Sequence, residues 1–347
     1  MIVPEKHAHF SGTIAQNGVF DCKINDVPEK ARYFSGTILE VRMRLADLIK
    51  IGKETVSSLY PEREAGEMVF AYLEEALGTK RHTHIVDPGF EVSSDKTEVA
   101  LDAFIRMAKG EPLQYIIGKS WFYGRQFRVT PDVLIPRPET ELLCRRALDH
   151  IRACRVQAPK ILDLCTGSGC IAWTMAAECA AEGYAKECAS DVCGRSGVLV
   201  EAVDISEGAL ATAYSQHFEE TVSVRFHKAD VLKDPDPTIF AEESYDLILS
   251  NPPYVMDSEK ALMRPNVLDH EPHLALFVSD EDPLIFYRAV AAWAGRLLKV
   301  GGYGLVEINE ALGKQTADVF RMAGFGDVSV IKDLSGRDRF VEFIRIF

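Results

Sequence analysis

Residues 160–169 read Lys160-Ile-Leu-Asp-Leu-Cys-Thr-Gly-Ser-Gly169, and residues 170–181 continue as Cys170-Ile-Ala-Trp-Thr-Met-Ala-Ala-Glu-Cys-Ala-Ala181. The short apolar run Ile161–Leu164 has the length of a buried strand. It opens into a loop, Cys165–Gly169, and then into an alanine-rich stretch that suits a helix. A buried strand that passes through a glycine loop into a helix is the first unit of a parallel α/β sheet. Glycines let the backbone approach a ligand closely, and the helix N-terminus favours polar or anionic groups. In an open sheet, ligands bind outside the carboxyl ends of the strands, where this loop lies. The loop is not GxGxxG, so a dinucleotide phosphate site is less favoured.

Alternation continues downstream. Strands are expected at Val198–Val203, Val222–Phe226, Tyr245–Leu249 and Tyr303–Ile308, and helices at Glu207–Phe218, Pro283–Leu298 and Ala311–Met322. Val328–Ile331 and Phe340–Ile346 are two further strands separated by a turn, Asp333–Asp338, so they pair as an antiparallel hairpin. The pattern predicts an open, mostly parallel sheet with helices on both faces and an antiparallel C-terminal hairpin. The stretch from Cys179 to Gly197 is longer than an ordinary connection and reads as a surface excursion.

Upstream, residues 40–110 follow a helical period. Val41, Leu45, Leu48 and Ile49 recur at helical spacing. Met68, Val69, Tyr72, Leu73, Ala76 and Leu77 do the same and are stopped by Gly78; Val99, Phe104, Ile105 and Met107 are stopped by Gly110. Ser120–Tyr123 and Phe127–Val129 read as a β-hairpin around Gly124, followed by a connector punctuated by Pro131, Pro136 and Pro138. Residues 1–38 hold an echo, Phe10-Ser-Gly-Thr-Ile14 and Phe34-Ser-Gly-Thr-Ile38, too short for a repeat architecture. The expected organisation is an unassigned extension (1–38), a helical docking domain (39–118), a hairpin connector (119–138) and an α/β domain (139–347).

Composition narrows the function. The chain has 347 residues with 39 Lys+Arg against 52 Asp+Glu, a net charge of −13, and 47% hydrophobic residues. That excludes a disordered or collagenous chain and argues against a large phosphate-binding surface. No run approaches the ~18 apolar residues that span a membrane. The N-terminus lacks a basic region followed by an apolar one, so a cytoplasmic location is expected. The eight cysteines then read as reduced thiols. Cys179, Cys188 and Cys193 fit no CxxC spacing, and no metal site is expected.

Three features carry chemistry. The first is the loop Cys165, Thr166, Gly167, Ser168 and Gly169. The second is Asp204, an acid at a strand end that suits ribose hydroxyls or the cap of the next helix; Asp230 and Val231 are similarly placed to meet an adenine. The third is Ser250-Asn-Pro-Pro-Tyr254, directly after the buried run Tyr245–Leu249. Its two prolines fix φ and remove two N–H donors. Carbonyl acceptors remain beside the Asn251 side chain, which adds another oxygen. Such a rigid acceptor site suits an NH2 group, either an amide or an exocyclic base amine. Tyr254 offers a flat face for packing.

Together these residues resemble the class I S-adenosylmethionine-dependent methyltransferases, in which Asn-Pro-Pro-Tyr is shared by enzymes that methylate amide or amino nitrogens. Further segments resemble the peptide chain release factor glutamine methyltransferases (PrmC/HemK family). These are Pro112-Leu-Gln-Tyr115, Gly118, Phe122-Tyr-Gly124, Phe127-Arg-Val129, Leu134-Ile-Pro-Arg-Pro-Glu-Thr-Glu141, Glu271-Pro272, Ala275-Leu276, Lys332-Asp-Leu-Ser-Gly336 and Asp338-Arg339. The similarity runs from about residue 40 to the C-terminus. Cys165 stands where the family usually has glycine, as in a related family that methylates a ribosomal-protein glutamine. Val278-Ser279 replaces a glycine pair.

The resemblance implies a Rossmann-like class I methyltransferase domain behind a small helical domain and a β-hairpin. It implies methyl transfer from S-adenosylmethionine to the side-chain nitrogen of a glutamine in the Gly-Gly-Gln motif of release factors. Asn251 and Pro252 are then the catalytic acceptors, and Asn251, Pro252, Pro253 and Tyr254 bind the substrate. Cys165, Thr166, Gly167, Ser168, Gly169, Asp204, Asp230, Val231 and Asn251 hold the cofactor, with the connector Arg137–Thr140 over its methionine end. Neither a membrane nor a nucleic acid is an expected partner. The rival readings are a ribosomal-protein glutamine methyltransferase, an adenine-N6 methyltransferase acting on a flipped base, and an inactive cofactor-binding protein.

Overall fold

The structure is a computed structural model that describes residues 42–183, 198–218 and 222–347. The echo in residues 1–38, the excursion beyond Gly183, and Cys22, Cys188 and Cys193 lie outside the described residues. The chain forms two compact units, one up to Phe104 and one from Ile105 onward.

The first unit is helical. Its helices are Leu45–Val56, Glu62–Leu77 and the larger part of Ser94–Ala108. Leu48, Val69, Leu73 and Phe104 are buried where the apolar spacing puts them. Gly78 ends the second helix in the left-handed region, at φ 67°, its N–H on the Glu74 carbonyl. At Gly52 an added Cβ would lie 2.8 Å from the Phe104 ring, so packing requires a glycine there.

In the second unit a short helix, Leu113–Ile117, leads into the hairpin Lys119–Phe122 and Arg125–Arg128, turned by Tyr123 and Gly124 at φ 50° and 74°. Two successive positive φ values give the tight turn whose twist matches its strands. Phe122 and Phe127 face inward, edge to face, with centroids 5.9 Å apart. The next element was not foreseen from the sequence. Residues expected to form only a connector start helix α1, Pro138–Cys154. Pro138 occupies the first turn, where a missing N–H costs nothing. Glu139 and Glu141 suit that end of the helix dipole. Leu143, Ala147, Leu148 and Ile151 form the buried face. The third proline is therefore a helix start rather than loop punctuation.

The sheet has seven strands: β1 (Lys160–Leu164), β2 (Leu199–Asp204), β3 (Val224–Lys228), β4 (Tyr245–Ser250), β5 (Leu298–Glu307), β6 (Gly326–Lys332) and β7 (Asp338–Ile344). Their order is β6-β7-β5-β4-β1-β2-β3. The pairs β1–β2, β2–β3, β1–β4 and β4–β5 are parallel. Only β7 runs antiparallel to its neighbours β5 and β6, as the C-terminal hairpin predicts. Side chains alternate across the sheet. Ile161, Val200, Leu247 and Leu305 pack in one cluster with α1 and helix α2, Cys170–Ala181. Leu162, Val203, Ile248 and Val306 pack in another with helices α4 (Ile285–Leu297) and α5 (Gly313–Met322).

Several boundaries move: β5, for one, starts at Leu298, five residues before the expected Tyr303. Helix α3 (Glu207–Tyr214) stops four residues before the expected Phe218. Gln216 instead bonds backbone groups of Arg128 and Ser168, which takes the chain out of the helix. Strand β3 starts at Val224, not Val222. The chain leaves β1 towards β2 and β3, then returns to place β4 on the other side of β1. The crevice over β1 and β4 is thus the topological switch point, where open sheets bind ligands.

Candidate active site

A cavity of about 300 Å³ lies at the carboxyl ends of β1, β2, β3 and β4. It is lined by Cys165, Thr166, Gly167, Ser168, Asp204, Asp230, Val231, Asn251 and Pro253 from the sequence-predicted set. Gly169, Pro252 and Tyr254 are outside its lining.

The glycine loop holds its shape through backbone conformation. Cys165, Gly167 and Gly169 have φ of 61°, 55° and 80°, values that glycine adopts freely and cysteine rarely. Thr166 N–H donates to the Val203 carbonyl at 2.9 Å, which ties the loop to β2. The Thr166 hydroxyl donates to Asp163 at 2.6 Å. Asp163 is fully buried, and burial pushes its carboxyl up to about 7 although the Thr166 hydrogen bond pulls the other way. A Cβ on Gly167 would meet no atom within 4 Å, because the loop opens onto the cavity there. A Cβ on Gly169 would lie 2.9 Å from Trp173 Cδ1, so this glycine serves packing.

Asp204 ends β2. Its Oδ2 accepts from Gly167 N–H at 2.8 Å and its Oδ1 from Ser206 N–H at 2.9 Å. The helix-capping role belongs to Ser206, whose hydroxyl accepts from Ala209 N–H. Burial raises the Asp204 carboxyl, against those backbone donors. Each carboxylate oxygen keeps further acceptor capacity for a hydroxyl. Asp230, two residues past β3, accepts from Leu232 N–H at 3.0 Å, and Val231 beside it is buried.

These donors and acceptors fit S-adenosylmethionine. Ile171, Ile205, Val231 and Phe286 supply apolar walls for a nucleoside. Asp204 and Asp230 supply acceptors for hydroxyl and amino groups, and their charge suits a cation. The one basic residue in the lining, Arg137, is already paired with Glu271, so the cavity lacks the character of a phosphate site.

Across the crevice, Asn251 follows β4. Its Nδ2 donates to Thr140 Oγ1 at 3.1 Å, and no donor among the described residues reaches its Oδ1. The Thr140 hydroxyl donates to Glu307 Oε2 at 2.7 Å, and the Tyr254 hydroxyl to Glu307 Oε1 at 3.0 Å. Glu307 is the last residue of β5 and fully buried, which raises its carboxyl. Tyr254 is directed towards Glu307 and the core rather than the cavity, and burial followed by the Glu307 charge drives its hydroxyl upward. Asn309 Nδ2 donates to the Tyr254 carbonyl at 3.1 Å and steadies the loop from behind.

Arg137 and Thr140 both line the cavity, where the connector was expected. Buried Glu271 fixes that wall. It accepts from Ile135 N–H at 3.1 Å and from Arg137 at 2.6 Å. Sequence reasoning missed Thr140 as the partner of Asn251, and it missed Glu307 altogether. The available signal for Glu307 was a single acid at the end of an apolar strand, the same signal that singled out Asp204.

Among known proteins, the profile of the family described as PrmC N-terminal domain matches residues 48–118. The release factor glutamine methyltransferase of Bacteroides thetaiotaomicron is 38% identical over 287 residues, spanning 83% of this chain and 95% of that protein. The release factor glutamine methyltransferase of Cereibacter sphaeroides is 40% identical over 258 residues, 74% of this chain and 82% of its own. The crystal structure of the release factor-specific protein-(glutamine-N5) methyltransferase from Alicyclobacillus acidocaldarius aligns at 27% identity and a TM-score of 0.36, covering 64% of this chain and 100% of that one. No helix among the described residues is long and apolar enough to cross a membrane.

Proposed function

This chain belongs to the family of release factor glutamine methyltransferases, and from that premise we propose that Asn251 and Pro252 present the target glutamine for methylation. The substrate is the side-chain amide of a glutamine in a peptide chain release factor, within its Gly-Gly-Gln motif. S-adenosylmethionine, when bound, supplies a methyl group on a positively charged sulfur. The walls around Cys165–Ser168, Asp204, Asp230 and Val231 hold it.

An amide nitrogen is a weak nucleophile because its lone pair is delocalised into the carbonyl. Two acceptors can help it. Asn251 Oδ1 and the Pro252 carbonyl each accept one N–H of the glutamine amide. Both protons then point at the protein and the nitrogen is oriented towards the cofactor. That is catalysis by positioning. The same oxygens favour the positive charge that grows on nitrogen during transfer, until one of its two protons is released to water. Pro253 supports the geometry because prolines fix φ and offer no competing N–H.

The observation that carries this reading is the anchored Asn251 amide, with its NH2 committed to Thr140 and its oxygen left for the substrate. The net charge of −13 supports a protein substrate over a nucleic acid, and release factors place the reaction in the cytoplasm. The test uses labelled S-adenosylmethionine with a release factor, its Gln→Ala variant, and DNA. Label on the native release factor alone is expected. Label on DNA, or equal label on the Gln→Ala variant, contradicts the reading.

A further inference from the structure

We propose that Thr140 and Glu307 are positioning residues that decide which end of the Asn251 amide faces the substrate. The inference rests on the reading of Asn251 as an acceptor and adds what makes it one. A primary amide is nearly symmetric in shape: rotation by half a turn swaps its oxygen for its NH2. With the NH2 facing the cavity, Asn251 would present donors to the donors of the substrate, and the site would repel the group it must hold.

Packing alone does not distinguish the two orientations, but the hydrogen bonds do. A carboxylate only accepts. Glu307 Oε2 therefore requires the Thr140 hydroxyl to donate to it, at 2.7 Å. With its proton so committed, Thr140 Oγ1 has only lone pairs left for Asn251. It selects the NH2, found at 3.1 Å. Asn251 Oδ1 is left to the cavity. A hydroxyl without Glu307 could donate or accept and would select neither end. The other oxygen of Glu307 takes the Tyr254 hydroxyl at 3.0 Å. One buried acid from β5 thus holds both ends of the loop that follows β4. An unpaired buried acid is costly. Here two hydroxyl donors compensate it, and the order it imposes reaches the acceptor.

The test is Thr140→Val, which keeps the shape and removes the hydroxyl. It is compared with Thr140→Ser and with Asn251→Ala, by methyl-transfer kinetics on a release factor and by cofactor binding to the same proteins. A hydrogen bond to a charged group corresponds to a fall in kcat of about 10- to 100-fold for Thr140→Val, with cofactor Kd nearly unchanged. Thr140→Ser should recover most of that loss, because it restores the donor–acceptor order. If Thr140→Val keeps wild-type kcat while Asn251→Ala loses it, the positioning role is wrong. If Asn251→Ala itself keeps kcat, the acceptor reading beneath it is wrong. Should Thr140→Val no longer bind cofactor, Glu307→Leu gives the second measurement. It removes the acceptor that fixes the Thr140 proton, so kcat should fall and Thr140→Ser should not rescue it. Unchanged kcat in Glu307→Leu overturns the proposal.

Discussion

The two rims of the crevice are built in different ways. The rim at β1 and β2 takes its shape from backbone: left-handed residues at Cys165, Gly167 and Gly169, and N–H groups of Gly167 and Ser206 directed onto Asp204. The rim at β4 and β5 takes its shape from side chains on three separate elements, Thr140, Asn251, Tyr254 and Glu307. The difference fits the tasks proposed for the two rims. A cofactor with a fixed polar pattern can be met by a rigid local loop. An acceptor that must show oxygen rather than NH2 needs its orientation specified, and the partners that do so lie far away in sequence.

Breaking each rim separately should give different failures. The largest effect is expected for Asn251→Ala, a loss of about 10²- to 10³-fold in kcat, the scale of removing one transition-state hydrogen-bonding group. Cofactor affinity by titration calorimetry should stay close to wild type. Next is Gly169→Ala. The new Cβ would lie 2.9 Å from Trp173 at a φ of 80°. Strain of this kind costs about 1–3 kcal/mol, to be read as a lower melting temperature and weaker cofactor binding, with kcat at saturation less affected. A smaller effect is expected for Glu271→Gln, which weakens the Arg137 ion pair and loosens the wall formed by the connector. A buried, hydrogen-bonded pair of this kind predicts cofactor Kd about tenfold higher, measurable by the same titration.

The smallest effect on activity, and the sharpest on stability, concerns Asp163. Its folded carboxyl sits at about 7, against ~3.9 in an unfolded chain. The folded state therefore holds this proton more tightly. Its contribution to stability is greatest below the unfolded value and is lost as pH rises through about 7. Asp163→Asn should flatten that decline between about pH 5 and 7 in denaturant titrations. An unchanged slope would mean that Asp163 does not titrate there.

The contrast between the rims also explains what the sequence disclosed. Loop 165–169, Asp204 and the alternation of strands and helices are local patterns, so the sheet, its C-terminal hairpin and the loop at the end of β1 could be read directly. Asn251 was legible because its two prolines announce a rigid acceptor. Its partners were not. Thr140 lies 111 residues away in sequence, on a helix whose leading proline resembled a loop signal. Glu307 was one acid at the end of an apolar strand, and only the parallel pairing of β5 with β4 brings it beneath the Asn251–Tyr254 loop. Tyr254 was expected to offer its ring to the substrate; the bond of its hydroxyl to Glu307 was not foreseen. Patterns with a short period are visible in one dimension, whereas side-chain relays between elements need the fold.

The most direct measurement is peptide mass spectrometry of a release factor after incubation with S-adenosylmethionine and either the wild-type enzyme or Asn251→Ala. The account predicts one added methyl on the side-chain nitrogen of the Gly-Gly-Gln glutamine with the wild type and almost none with the variant, although both bind cofactor. A methyl on any other residue, or equal methylation by the two proteins, would contradict it.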